Sequence, residues 1–533
     1  MKLHLLSSSV VASLFSLPTV AQMPSFAEDT SGVGLAGAVH QLGDTGTLTM
    51  EPFVLQTTLG GAGVGDFDND GDQDFYFVGG GGGVDKLYWN DGAGSFTEAV
   101  DWWVDSMGNP VTHDSHVGGG VAVGDFDGNG YMDIFVPSLG LSDTPILGYH
   151  RLYANNGNGT FTEVAAQAGV NFSSLILPDG TTATFGDYDL DGDLDLFVGG
   201  WRVRPAIALG NRLFRNDGNG TFTEVTAQAK VGVARLETFT PIFCDMNGDI
   251  YPELLLASDR CFSRYFINNG NGKFTHYTTQ AGIDQGCSDM GATVADFNRD
   301  GIMDWYITQI DQPLNPLWDG NHLYLGNGDH TFQDVGQTQP IYQGGWGWGA
   351  SAVDFNHDEL TDLVEVNGMG QFGGLYENIP SFLWTQDSNG DWTEVSVAAG
   401  VSHVSMGRGT IPFDCDNDVD MDLIITSFDE PAAFFRNDIS GPGTNAIRIF
   451  LDTSANPALA PHGIGSLVTA TTNTATQYWP MGTRTTHMGQ GEHSAHFGLG
   501  SNATVDITVR WNDGTTTTQL GVAANQTITI AAP

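Results

Sequence analysis

A nine-residue acidic phrase, Asp-x-Asp/Asn-x-Asp-x-x-x-Asp/Glu, is written seven times in this chain, beginning at Asp66, Asp125, Asp187, Asp245, Asp296, Asp354 and Asp414. Successive starts lie 51 to 62 residues apart. Self-similarity on that scale makes each copy part of one supersecondary unit, and such units must pack on one another to bury a core. Places 1, 3, 5 and 9 set oxygen donors on one side of a tight turn. They are Asp66, Asp68, Asp70 and Asp74 in the first copy, Asp125, Asp127, Asn129 and Asp133 in the second, and Asp187, Asp189, Asp191 and Asp195 in the third. The fourth supplies Asp245, Asn247, Asp249 and Glu253, and the fifth Asp296, Asn298, Asp300 and Asp304. Asp354, Asn356, Asp358 and Asp362 form the sixth, Asp414, Asp416, Asp418 and Asp422 the seventh.

Hard oxygen clusters suit calcium, which accepts six to eight donors in irregular geometry; magnesium, wanting a near-ideal octahedron, fits less well. Two carboxylates about 5 Å apart repel by roughly 3 kcal/mol at an effective dielectric of 20, so an empty loop must take up protons or splay apart. A divalent cation removes the conflict. Up to seven Ca2+ are expected. An EF-hand is excluded, because the twelfth place of the first copy is Phe77 and the flanks VGDFD and DFYFV read as strands. An Asp-rich turn that binds nothing is the bland alternative, and seven copies with one donor spacing argue against it. Ile250, Glu359 and Val419 stand at the sixth place, where a left-handed residue is wanted. A side chain there costs about 1 kcal/mol, so the fourth, sixth and seventh sites are expected to be weakest.

The remaining composition bounds the function. With 18 basic against 63 acidic residues the net charge is −45, which rules against nucleic acid as a natural partner and argues against anionic membrane surfaces. Residues 1–21 read as an export signal: Lys2, an apolar run from Leu5 to Leu17, and small residues up to Ala21. The expected location is therefore secreted, periplasmic or cell-surface, where calcium is plentiful. Of four cysteines, Cys244 and Cys415 look like small core residues, while Cys261 and Cys287 lie in connections expected on one face and are expected to pair.

Each unit has one grammar. An apolar run such as VAVGDFD leads into the acidic loop and a β-rich run such as DIFV leaves it. A hairpin follows, as in LYANNGNGTFTEV, with Asn and Gly expected to supply positive φ. Four short strands per unit, repeated seven times, predict an all-β, seven-bladed β-propeller over residues 22–440. The segment from Phe26 to Thr30 echoes the Phe222–Thr226 strand, so it is expected to complete the last blade. After Ser440-Gly-Pro-Gly-Thr-Asn445, residues 441–533 alternate apolar and polar in short runs, predicting a small β-sandwich.

The loops with their hairpins resemble FG-GAP or VCBS repeats, the units of integrin α-subunit propellers. That resemblance implies calcium held by places 1, 3, 5 and 9 and by the carbonyl of place 7, which is Asp72, Tyr131, Asp193 or Ile302 in the clearest copies. HGIGSLVTA, HFGLG, VDITVRWNDG and AANQTITI resemble the ASPIC/UnbV domain, found after FG-GAP repeats in bacterial secreted proteins and in the cartilage-acidic-protein-like family. His487, His493 and His496 in this region offer three imidazoles, although strand-and-loop spacing does not force them onto one face.

Residues upstream of the loops should line the central mouth of the ring: His113, Asp114, His116, Asp289, Trp346, Trp348, His403 and Arg408. Of these, His116, Trp346, His403 and Arg408 are the candidate ligand residues. Three functions compete: recognition or adhesion toward a carbohydrate or extracellular protein, a carbohydrate lyase or dehydratase working at the mouth, and a structural scaffold. No nucleophile motif, triad or phosphate loop supports an enzyme.

Overall fold

The structure, a computed structural model, describes residues 22–41, 59–113, 116–139, 149–171, 180–200, 210–233, 236–261, 263–284, 286–311, 320–370 and 374–533. The expected export signal and Asp114 lie outside them. Among the described residues, seven sheets carry the same four-stranded antiparallel meander. In the third, Thr182–Gly186, Asp195–Gly199, Arg212–Asn216 and Phe222–Glu224 follow one another outward. The second adds an outermost strand, Trp103–Val104, parallel to Phe161–Glu163. Innermost strands of successive sheets pack side by side, and the seventh, Gly407–Phe413, packs against the first, Ala62–Gly65. The result is a closed β-propeller.

Closure is made as the sequence suggests. Phe26–Glu28 pairs antiparallel with Ala433–Asn437, Phe26 opposite Asn437, and becomes the outer strand of the last blade. Successive side chains of a strand face opposite seams, as Phe135 does one and Ile134 and Val136 the other, so every seam between blades holds its own core. Between blades seven and one these are Val64, Phe75, Phe96, Ile411, Phe413 and Phe434, all buried. At the mouth the inner strands come too close for side chains. A Cβ on Gly61 would fall 2.1 Å from the Gly119 carbonyl oxygen, and one on Gly291 would fall 1.9 Å from that of Trp348. Tight approach of backbones explains the glycine-rich inner strands.

Beyond Ile439 the chain builds two sheets. Asn445–Asp452 runs between Ala495–Gly500 and Gln526–Ala531, and the second sheet orders Thr476–Pro480, Leu467–Thr471, Thr504–Arg510 and Thr516–Ala523. Ile447, Val468, Phe497, Ile507 and Trp511 share their core. This domain does not stand apart from the ring. Its short hairpin Thr485–Thr486/Gly489–Gln490 enters the central channel, where Gly489 and Gln490 pair in parallel with Ala62 and Gly63. The hairpin meets the inner strands of blades one, two, four, five, six and seven, and Thr485 Oγ1 lies 3.1 Å from Thr184 Oγ1 of blade three. The channel is plugged from within the same chain. Among the described residues no helix is long and apolar enough to cross a membrane, which leaves strand-built spans unaddressed.

Candidate metal loops and the plugged channel

Each acidic loop joins the first and second strands of its blade, and all seven share one hydrogen-bond scheme. The place-one carboxylate accepts the place-five N–H on Oδ1 and the place-six N–H on Oδ2, at 2.8–3.2 Å, from Asp66 through to Asp414. Place five accepts the N–H of place seven, as Asp70 does from Asp72 and Asn129 from Tyr131. Place nine accepts the place-two N–H, as Asp133 does from Phe126 at 2.9 Å. Places four and six are both left-handed: Asn69 and Gly71 in the first loop, Gly248 and Ile250 in the fourth, His357 and Glu359 in the sixth, Asn417 and Val419 in the seventh. The non-glycine sixth places therefore keep the shared geometry. A left-handed fourth place was not anticipated from the sequence, because Asn, Leu190 and Arg299 there carry no common signal.

Convergence of carboxylates separates the loops. Oxygens of Asp66, Asp68 and Asp70 lie within 4.8 Å of one another, as do those of Asp125, Asp127 and Asp133, of Asp187, Asp189 and Asp195, and of Asp414, Asp416 and Asp418. These four loops have Asp at place three. Loops four, five and six have Asn there, and its amide turns to the place-five carboxylate: Asn247 to Asp249, Asn298 to Asp300, Asn356 to Asp358, at 2.9–3.1 Å. By this measure the seventh loop joins the first three, whereas the sixth-place argument grouped it with the fourth and sixth.

The donor sets fit a hard cation. Buried carboxylate oxygens of Asp189, Glu253, Asp362 and Asp416 have no hydrogen-bond partner. Burial, reinforced by neighbouring carboxylates, pushes Asp187 up to about 7, and burial pushes Asp74 up to about 8. Burial also raises Asp304 to about 7 and holds Asp195 and Asp422 well above the ordinary range. A bound divalent cation would neutralise these groups. Asp193 and Ile302 at place seven lie against the hairpin glycines Gly218 and Gly328 of their own blades.

Hairpin asparagines serve a purpose that the turn reading missed. Positive φ falls on Gly92, Gly157, Gly218 and Gly270, and not on the asparagines before them. Asn155 instead donates its amide to the carbonyls of Met132 in its own blade and Phe67 in the preceding one, at 3.0 and 2.7 Å. Asn90, Asn216 and Asn268 repeat the bridge. The recurrent Asn two places before the hairpin Gly was the available signal.

The expected mouth residues do not gather in one pocket. His116 is buried between Asp85, 2.6 Å from Nε2, and Ser138, 2.7 Å from Nδ1. His403 packs its ring edge-on against Phe435. Trp346 lies against Tyr376, and the Arg408 guanidinium sits 4.3 Å from the Trp348 ring centre while donating to the Gly407 and Gly368 carbonyls. Burial lowers Arg408 to about 9. His487 of the plug packs on these rings, its centroid 5.0 Å from Trp348 and 5.1 Å from Phe239. Between the inner strands, therefore, the channel is occupied by the chain's own hairpin. The three imidazoles likewise separate. His493 Nε2 faces the Val123 carbonyl and His496 Nε2 that of Val419.

Cys261 and Cys287 are disulfide-bonded, and Cys244 and Cys415 are buried thiols.

The matching family models agree with this architecture. Residues 66–136, 142–198, 245–307 and 315–365 match the FG-GAP-like repeat, and residues 456–533 match ASPIC and UnbV. Cartilage acidic protein 1 of Mus musculus is 26% identical over 299 residues, covering 53% of this chain and 41% of that protein. The Homo sapiens protein gives 26% over 299 residues, with 53% and 40% covered. The chain thus spans about two fifths of the length of the curated relatives it matches. Among solved structures, an Agrocybe aegerita lectin described as recognising non-reducing terminal N-acetylglucosamine aligns with a TM-score of 0.37 and 17% identity, over 63% of this chain and 79% of that one. YCF48 bound to D1 peptide aligns with a TM-score of 0.41 and 9% identity, over 72% and 94%.

Proposed function

Since this chain belongs to the proteins that join FG-GAP-like repeats to a C-terminal ASPIC and UnbV domain, we propose that it is an exported calcium-binding propeller serving as a recognition module for a carbohydrate or an extracellular protein. The observation that carries the reading is the convergence of three carboxylates in each of loops one, two, three and seven on an otherwise identical backbone frame. Asp66, Asp125, Asp187 and Asp414 with their loop partners would hold the ions, and calcium would supply the charge that lets these turns stay tight. Recognition would then use the outer surface and rim, because the plug lies in the channel where the alternative enzyme reading would put its site.

The test is a glycan and protein binding screen of the full chain with calcium and with chelator, alongside a count of bound ions. Ion binding together with calcium-dependent capture of a ligand is expected. A chain that binds no calcium, or that converts a polysaccharide to an unsaturated product, overturns the reading.

A further inference from the structure

Loop four is faced differently from the others. Arg510, at the end of the C-terminal strand Thr504–Arg510, lays its guanidinium on two of the loop's oxygens. Nη2 is 2.8 Å from Asp245 Oδ2 and Nη1 is 3.2 Å from the Gly248 carbonyl oxygen. Asn247 turns its amide to Asp249 Oδ2 and lies 3.2 Å from His330 Nε2 on the hairpin of the next blade. Asp245, Asp249 and Glu253, like the acids of loops five and six, are absent from the sets of converging carboxylates found among the described residues.

Two other loops show what this contact is not. In loop three the same outer oxygen of place one, Asp187 Oδ2, accepts a neutral amide from Asn512 at 3.0 Å. In loop seven Arg448 comes within 3.2 Å of Asp414 Oδ2, but its charge is answered by Glu492, which binds Nε at 3.0 Å and Nη2 at 2.6 Å. Asp414, Asp416 and Asp418 still converge there. Within the ring Arg436 pairs with Asp416 of loop seven, whereas among the described arginines of the C-terminal domain Arg448 and Arg510 pair with loop carboxylates, and Arg510 does so with no carboxylate of its own domain beside it.

We propose that loop four is filled by an arginine in place of a divalent ion. Arg510 supplies the positive charge that the loop's acids require, and in doing so clasps the C-terminal domain to the ring independently of calcium. A divalent ion on Asp245 would sit one carboxylate away from the guanidinium, and the two cations repel at that range. A planar guanidinium with fixed N–H directions suits a carboxylate and a carbonyl side by side. The inference rests on the reading that other loops take calcium.

The experiment counts calcium per folded full-length chain by equilibrium dialysis and elemental analysis, for the natural protein and three variants. Asp187→Asn is expected to lose one ion, Asp245→Asn to lose none, and Arg510→Gln to gain one. Loss of one ion in Asp245→Asn overturns this inference while leaving the calcium reading intact. So does an unchanged count in folded Arg510→Gln; should that variant fail to fold, Asp245→Asn still decides. A natural chain that binds no calcium on any loop overturns both readings together.

Discussion

The side-chain amide of Asn90 in the first blade donates to the carbonyl of Cys415 in the seventh, 2.7 Å away across 325 residues of sequence. It also donates to the Gln73 carbonyl at 3.0 Å, so one side chain ties loop one to loop seven at the seam where the ring closes. Both carbonyls and the amide are out of water, and removing the amide leaves acceptors without partners. Asn90→Ala is expected to cost about 2 kcal/mol, the range for buried hydrogen-bond partners left unsatisfied. Chemical denaturation measures this directly, and a change within error would show that the seam does not depend on the bridge.

The outer strand of the last blade comes from the other end of the chain. Phe26 lies opposite Asn437 and packs edge-on against Phe355, ring centroids 5.4 Å apart. Deleting residues 22–32 should therefore lower the melting temperature, and Phe26→Ala alone should cost about 3 kcal/mol. A truncated protein that melts with the full chain would refute closure by strand exchange.

These relationships differ in how openly the sequence states them. The acidic loops, the hairpins and the echo of Phe222–Thr226 at Phe26–Thr30 are local patterns, and spacing alone places them. The plug is not local. Pairing of Gly489 with Ala62 joins segments more than 400 residues apart, and nothing in THMGQG distinguishes a strand in a channel from an ordinary loop. Arg510 on Asp245 is hidden for the same reason: the apposition exists only once two domains are docked. Trp346 and Arg408 both lie near Trp348, and the group of rings meets His487 from a distant part of the chain, which spacing along the sequence does not reveal.

Ion removal should expose a pH dependence. In metal-stripped protein, burial lifts Asp66 and Asp125 to about 6, Asp187 and Asp304 to about 7, and Asp74 to about 8, from an ordinary 3.8. Between those values the folded state holds more protons than the unfolded one, so stability is retained below about pH 4 and is lost as pH rises through 6 to 8. Calcium should reverse the loss, since binding only the folded state stabilises it. Thermal melts in chelator at pH 5 and pH 8, repeated with excess calcium, check both halves. A chelated protein whose melting temperature is flat across that range would contradict the buried-carboxylate account.

The plug makes the last prediction. His487 is wholly buried, with its ring against Trp348 and Phe239, and the adjoining Met488 carbonyl accepts the Ala62 N–H at 3.3 Å. Replacing the imidazole by a methyl group leaves a cavity lined by two large aromatic rings that cannot close on it, because the seven inner strands hold them in place. Such voids cost about 2–4 kcal/mol. His487→Ala is therefore expected to unfold at lower denaturant and to shift tryptophan emission to the red as water reaches Trp348. Emission and stability both unchanged would mean that the hairpin does not occupy the channel in solution, and the case against a site in the central channel would have to be withdrawn.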